Sequence, residues 1–159
     1  MVRKLIFQFK YKPYLSDLRS VLSDLFYESL IQQEKFMQIL ETNPILVSIP
    51  LHKSRLQKRG YNHAQILAED LAKRFGLSYV DLLKRVKKTL SQYGLKKDER
   101  RKNVAGAFVF INDKQQVIRD RYVFLVDDIL TTGATINEAT LVLQKAGAKN
   151  VWGLALARD

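Results

Sequence analysis

No cysteine occurs among the 159 residues, and histidine, methionine and tryptophan are nearly as scarce, at two, two and one. Without thiols there is no disulfide and no thiol chemistry. His52 and His63 alone are too few for a structural zinc site, so no zinc is expected. Nowhere does an apolar run approach the ~18 residues that a membrane span needs. Met1-Val2-Arg3-Lys4 leads into Leu5-Ile6-Phe7, but Gln8 and Lys10 interrupt that stretch too soon for a signal peptide, and a cytoplasmic protein is expected. Acidic residues are also few, 16 against 27 Lys and Arg. The resulting formal charge of +11 suits anionic partners: nucleotides, phosphates or nucleic acid. A Lys-rich solvated surface has the same composition, so charge alone does not choose. What remains is an ordinary globular composition and the length of a single domain, 1–159.

The chemistry concentrates in Val123-Phe-Leu-Val-Asp127-Asp128-Ile-Leu-Thr131-Thr132-Gly133-Ala134-Thr135. A short β-branched apolar run delivers two carboxylates, then a turn of small and hydroxyl residues, then a helix pattern. The expected strand stops at Asp127 and Asp128, on the carboxyl end where open α/β sheets bind ligands. The turn brings backbone N–H groups to the positive end of the next helix, and Gly133 allows close approach by an anion. Carboxylates suit ribose hydroxyls and Mg2+, and the turn suits a terminal phosphate. Together they describe a site for a phosphorylated sugar.

Elsewhere the chain alternates strand and helix signals. The first forty or so residues look helical, with Leu15, Leu18, Leu22, Leu25 and Phe26 on one face and Ile31, Met37 and Leu40 continuing the stripe. Asn43-Pro44 ends this segment, and residues 45–50 open an α/β core over 44–159. Asn62 caps a helix with Gln65 three residues on, Ala64, Leu67, Ala68, Leu71, Ala72 and Phe75 form its buried face, and Gly76 ends it. Residues 77–83 are a candidate second strand. Residues 84–102 carry nine Lys or Arg and weak apolar periodicity, the pattern of a long functional loop. Residues 107–111 and 116–119 read as a hairpin around Asn112-Asp113-Lys114. After the small-residue turn, Ile136, Ala139, Val142, Leu143 and Ala146 face inward, Gly147 stops the helix, and 151–157 form a last strand. Right-handed crossovers then give a mostly parallel sheet flanked by helices.

The acidic pair and its turn resemble the phosphoribosyl pyrophosphate (PRPP) signature of type I phosphoribosyltransferases. Three further blocks, residues 49–55 (Ile-Pro-Leu-His-Lys-Ser-Arg), 58–65 (Lys-Arg-Gly-Tyr-Asn-His-Ala-Gln) and 99–108 (Glu-Arg-Arg-Lys-Asn-Val-Ala-Gly-Ala-Phe), resemble the ComF branch, associated with DNA uptake in naturally competent bacteria. Members commonly carry an N-terminal four-cysteine zinc ribbon, which this sequence lacks. The resemblance implies a type I phosphoribosyltransferase fold whose residues 1–43 form a hood-like helical segment.

It also implies roles. Asp127 and Asp128 would be the catalytic pair, binding the ribose hydroxyls directly or through Mg2+. Thr131, Thr132, Gly133, Ala134 and Thr135 would hold the 5-phosphate. A loop of Leu51, His52, Lys53 and Ser54, flanked by Arg55 and Arg59, would hold pyrophosphate, and arginine suits phosphate by its forked donors. His52 could equally be a plain surface residue, and His63 reads as structural. Lys96, Lys97, Arg100 and Arg101 belong to a segment resembling the flexible loop that closes over PRPP. The same cations, with Tyr93 as a stacking ring, suit single-stranded DNA. Thr131 stands where enzymes of 6-oxopurines have an Asp, which disfavours such acceptors. Two functions follow: a PRPP-binding protein of DNA uptake with DNA or a competence helicase as partner, or an active Mg2+-dependent transferase with another acceptor.

Overall fold

The computed structural model describes residues 16–89 and 97–158. Its centre is a three-stranded parallel sheet of β1 (Ile45–Ser48), β4 (Tyr122–Leu130) and β5 (Asn150–Arg158), in the order β1-β4-β5. Ile45 pairs with Val123 and Ser48 with Val126, while Tyr122 pairs with Asn150 and Leu130 with Arg158. All of β1 and Val123 to Val126 of β4 are buried. Both faces are covered, which is why these strands read as continuous apolar runs.

On one face lie α1 (Ser16–Ile31), α2 (Glu34–Leu40) and α4 (His63–Phe75). Leu22, Phe26, Phe36, Leu67 and Leu71 pack there with Phe124, Val126 and Leu154. The inward face of the first helix is Leu22, Phe26 and Leu30, whereas Leu25 is exposed. Ile31 and Met37 are exposed as well, because α2 turns Phe36 and Ile39 inward instead, and Phe36 stacks on Phe124 with ring centroids 4.8 Å apart. That contact places α2 toward the strand end opposite the acidic pair. Leu15 and the rest of the first fifteen residues of the expected hood lie outside the described residues. Arg19 ties α1 to α4 through two hydrogen bonds to Asp70, at 2.7 and 3.0 Å, and Ser23 adds a third at 2.9 Å. Burial alone would push the Asp70 carboxyl up, but these donors outweigh it and hold it below the usual carboxylate range.

On the other face α7 (Ala134–Lys145) sets Ile136, Ala139 and Leu143 against Val123 and Leu125. Outside it, β2 (Leu83–Arg85) and β3 (Phe108–Phe110) form a two-stranded antiparallel ribbon, with α5 (Lys97–Val104) beside α7. This corrects two expectations. Residues 107–111 pair back to 83–85 rather than forward, and 112–118 form a 3-10 turn (Asn112–Lys114) and the helical turn α6 (Gln115–Ile118). Gln115, Gln116 and Val117 are exposed and only Ile118 is buried, a pattern without the alternation a strand requires. Of the candidate strand at 77–83, Tyr79 makes one parallel bridge to Leu46 and Leu83 begins β2.

At Gly153 of β5 the sheet and α7 approach closely. A Cβ there would lie 2.7 Å from Ile136 Cγ2, in the first turn of α7. Because Ile136 is β-branched and buried, it yields little. Gly153→Ala is expected to destabilise by about 1–3 kcal/mol through overpacking. Urea unfolding should show Ile136→Ala recovering much of that loss in the double variant, and additive effects would contradict the contact.

Candidate functional site

Chain direction decides where a ligand can enter. From β1 the chain crosses to α4 on one face, and from β4 it crosses to α7 on the other. The adjacent strands β1 and β4 therefore flank a topological switch point, whose crevice lies outside their carboxyl ends. There β1 leaves the sheet: its last bond is Ile49 N–H to Val126 C=O at 2.9 Å. The expectation that β4 also stops there is wrong. It runs on to Leu130, still paired with β5, because Ile129 and Leu130 pack into the two cores.

Asp127 and Asp128 thus sit within a strand, on the stretch that β1 no longer covers, and both are half-buried. Side-chain alternation slips at this point. Phe124 and Val126 share one face with Ile129, whereas Val123 and Leu125 share the other with Leu130. Asp127 pairs with Ala155 and Ile129 with Ala157, and the Asp128 N–H donates to the Asp127 carboxylate at 2.9 Å.

The turn after Leu130 adopts the expected form. Gly133 has φ +77° and ψ 0°, a left-handed conformation, and its carbonyl accepts the Asn137 N–H at 2.8 Å. A Cβ at Gly133 would meet nothing closer than 3.8 Å, so backbone conformation rather than crowding favours glycine. Thr132 Oγ1 accepts the Ala134 N–H at 3.4 Å, and Ala134 and Thr135 already belong to α7. The first-turn amides of a helix point toward its N-terminal turn.

The expected pyrophosphate loop is shorter than read. Only Leu51 and His52 are loop, and Lys53, Ser54, Arg55 and Arg59 lie in the short helix α3 (Lys53–Arg59). The reason is a cap: His52 Nδ1 accepts the Ser54 N–H at 3.3 Å and lies 2.9 Å from Ser54 Oγ. Gly60, at φ +82°, ends α3, and Asn62 then caps α4 by accepting the Ala64 N–H at 3.2 Å. Gln65 bonds Glu69 rather than completing a capping box. Asn62 Nδ2 also donates to Ile49 C=O at 2.9 Å, closing the connection between β1 and α4. His63 is buried against Tyr61, as a structural residue would be.

Residues 84–102 are not one loop. Lys84 and Arg85 are in β2, Lys97, Arg100 and Arg101 are in α5, and Lys96 and Tyr93 lie outside the described residues. Arg101 and Lys102 line a cavity of about 440 Å³ with Ala134, Asn137 and Glu138 of α7. Glu138 fixes this side by accepting the Gly106 N–H at 2.8 Å.

Arg85 and Thr89 were not recognised as site residues. Arg85 is 8% exposed, and burial, reinforced by Arg55 and opposed by Asp127, lowers its pKa to about 10. It remains charged at neutral pH. Residues from α3, β2 and β4 therefore share one electrostatic neighbourhood. The signal was present: in Leu83-Lys84-Arg85 the two-residue strand period puts Arg85 on the side of buried Leu83.

An open α/β domain with an acidic pair at its switch point and a glycine turn into a helix has the type I phosphoribosyltransferase arrangement. The chain belongs to the phosphoribosyl transferase domain family, whose profile matches residues 57–158. Competence protein F of Haemophilus influenzae is 36% identical over 130 residues, 80% of this chain and 56% of that protein. Competence protein ComFC of Streptococcus pneumoniae is 32% identical over 141 residues, 89% and 56% of the two chains. The DNA utilization protein YhgH of Escherichia coli O157:H7 is 28% identical over 155 residues, 97% and 66% of the two. The chain thus spans only part of these relatives' length, and the ComF resemblance of the sequence blocks is borne out. A solved structure, the allosteric regulatory enzyme of purine biosynthesis, superposes with TM-score 0.50 at 16% identity over 87% of this chain and 26% of that one, a likeness of fold.

Asn62 is the most exacting structural residue of this edge, since it serves a helix end and a strand end at once. Asn62→Ala should cost about 1–3 kcal/mol by leaving Ile49 C=O and the Ala64 N–H without it. Thermal unfolding that moved by less than a degree would contradict this role.

Proposed function

We propose that this domain binds PRPP together with Mg2+ at the carboxyl edge of β4, and that it acts in DNA uptake as the names of its relatives suggest. The observation that supports this most is the position of Asp127 and Asp128, on the part of β4 that β1 leaves open, one turn before Gly133. The two carboxylates are adjacent and half-buried, and among the described residues no group of three or more His, Cys, Asp or Glu gathers to hold a metal. They fit an ion that completes its shell with water and substrate oxygens. Bound Mg2+ would neutralise charge on the departing diphosphate.

The chain's own residues supply the rest. Asp127 and Asp128 accept hydrogen bonds from the ribose hydroxyls and favour the positive charge that develops at the anomeric carbon. Thr131 to Thr135 hold the 5-phosphate at the first turn of α7. Arg55 and Arg85 face the diphosphate end, joined by Arg59 and by Leu51 to Ser54 at the α3 entry. With Thr131 in the turn, a 6-oxopurine is disfavoured as the acceptor in any transfer. Replacing both acids, Asp127→Asn with Asp128→Asn, should weaken PRPP binding at least about tenfold and abolish its Mg2+ dependence, since the oxygens that recruit the metal lose their charge. Calorimetry showing equal affinity would defeat the assignment.

A second reading, contact with single-stranded DNA, is favoured by exposed Arg101 and Lys102 on α5 within a chain of charge +11. Binding should fall steeply with salt. Arg101→Ala with Lys102→Ala should reduce the slope of log affinity against log salt by up to about 1.4, two phosphate contacts' worth. An unchanged slope places any DNA contact elsewhere.

A further inference from the structure

Away from the acidic pair, α5 and α7 lie side by side and enclose the cavity of about 440 Å³. On α7, Ala134, Asn137 and Leu141 stand three and four residues apart, so they form one stripe along the groove. On the other wall, Arg101 and Val104 of α5 are three apart, and Ala105 follows directly. The floor is aliphatic. Val104 and Ala134 are buried, whereas Leu141 reaches the surface and is 52% exposed. No other large apolar side chain among the described residues is as exposed, although Ile136, Ala139 and Leu143 of the same helix turn into the core. The rim is cationic. Arg101 and Lys102 are exposed, and among the described residues neither forms a salt bridge. Lys87, just beyond β2, joins them: its Nζ donates to the Ala105 carbonyl at 3.3 Å. Glu138, the one carboxylate on the lining, accepts the Gly106 N–H at 2.8 Å.

An exposed leucine above an aliphatic floor, rimmed by cations, marks an interaction surface. Three occupants compete for it. A nucleic acid would use the cations, but none of the eight lining residues is aromatic, so a base finds no ring to stack on and the floor stays idle. A second copy of this chain would bring the same surplus of +11 and be repelled. A polypeptide that carries both carboxylates and apolar side chains satisfies rim and floor together. We propose that the groove between α5 and α7 docks an acidic segment of a partner protein. An aliphatic side chain of that segment packs on Leu141, Val104 and Ala134, and its carboxylates pair with Arg101, Lys102 and Lys87. An amphipathic acidic helix presents these groups in the required order, apolar residues on one face and charges beside them. The segment takes cations that the DNA reading also uses, and the floor is what separates the two. The PRPP reading is not needed, since Leu141, Lys102 and Lys87 belong to neither the acidic pair nor the phosphate turn.

The test is fluorescence anisotropy of a labelled peptide, Glu-Glu-Leu-Glu-Asp-Leu-Leu-Glu-Glu, titrated with the 159-residue chain at low salt. A control peptide carries Ser in place of each Leu and keeps every charge. Wild type should bind the leucine peptide at least about tenfold more tightly than the control, the effect of burying one leucine side chain. Leu141→Ala should weaken the leucine peptide about fivefold or more. Its melting temperature should stay within about two degrees of wild type, as suits an exposed position. Arg101→Glu with Lys102→Glu should weaken the peptide by more than about tenfold, because the rim then repels it. Should that variant not fold, Arg101→Ala with Lys102→Ala is read by the same titration. Equal affinity for the two peptides would mean charge attraction alone and overturns the proposal. So does binding that Leu141→Ala leaves unchanged, which places the peptide elsewhere. No binding of the leucine peptide by wild type at about millimolar concentration overturns it as well. An oligothymidylate whose affinity fell with Leu141→Ala would give the groove to single-stranded DNA instead.

Discussion

Everything at the candidate site depends on the central strand β4 outlasting its neighbour β1. From Val123 to Val126 the strand is paired on both sides and buried on both faces. Beyond it β5 continues and β1 does not. A carboxylate placed two residues earlier would be trapped in a dry sheet, which is costly for an unpaired charge. Placed after Leu130, it would ride on the turn and lose the rigid support of the ladder. Asp127 and Asp128 occupy the interval where backbone order and an open side coincide.

Fixing β4 fixes the cations as well. The ribbon of β2 and β3 packs through Leu83 and Phe108 into the same core as Ile118, Val123 and Leu143. Arg85 is therefore carried inward by its neighbours, into a setting that opposes its charge. Arg55 arrives independently, on a helix started by the His52 cap. The nearness of Arg85 to both Arg55 and Asp127 is a consequence of two separate packing decisions, so substitutions in the core of the ribbon should reach the site indirectly.

Much of this was legible in the residues. The thirteen positions from Val123 to Thr135 encode strand, acids, turn and helix in order, and helices bounded by Asn62 and Gly76 or by Gly147 carry strong local signals. What sequence reasoning missed was tertiary. A three-residue strand such as Leu83–Arg85 has too little pattern to stand out from the basic residues around it, so Arg85 was absorbed into a loop. The pairing of 108–110 with 83–85 crosses more than twenty residues, while a hairpin with 116–119 looked closer and was preferred. The loop expected at 51–54 was read as too long because histidine is an uncommon helix cap. Ile31 and Met37 were assigned inward because the break at Gln32-Gln33, which resets the helical phase before Phe36, carries no glycine or proline.

The central claim is that the crevice outside β1 and β4 is where a phosphorylated ribose sits. A crystal structure of the chain with ribose 5-phosphate and Mg2+ tests it most directly. The account predicts the phosphate within hydrogen-bond distance of the backbone N–H groups from Gly133 to Thr135, with the ribose hydroxyls at Asp127 and Asp128. A ligand seated instead among Arg101 and Lys102 on α5, with the acidic pair untouched, would contradict it.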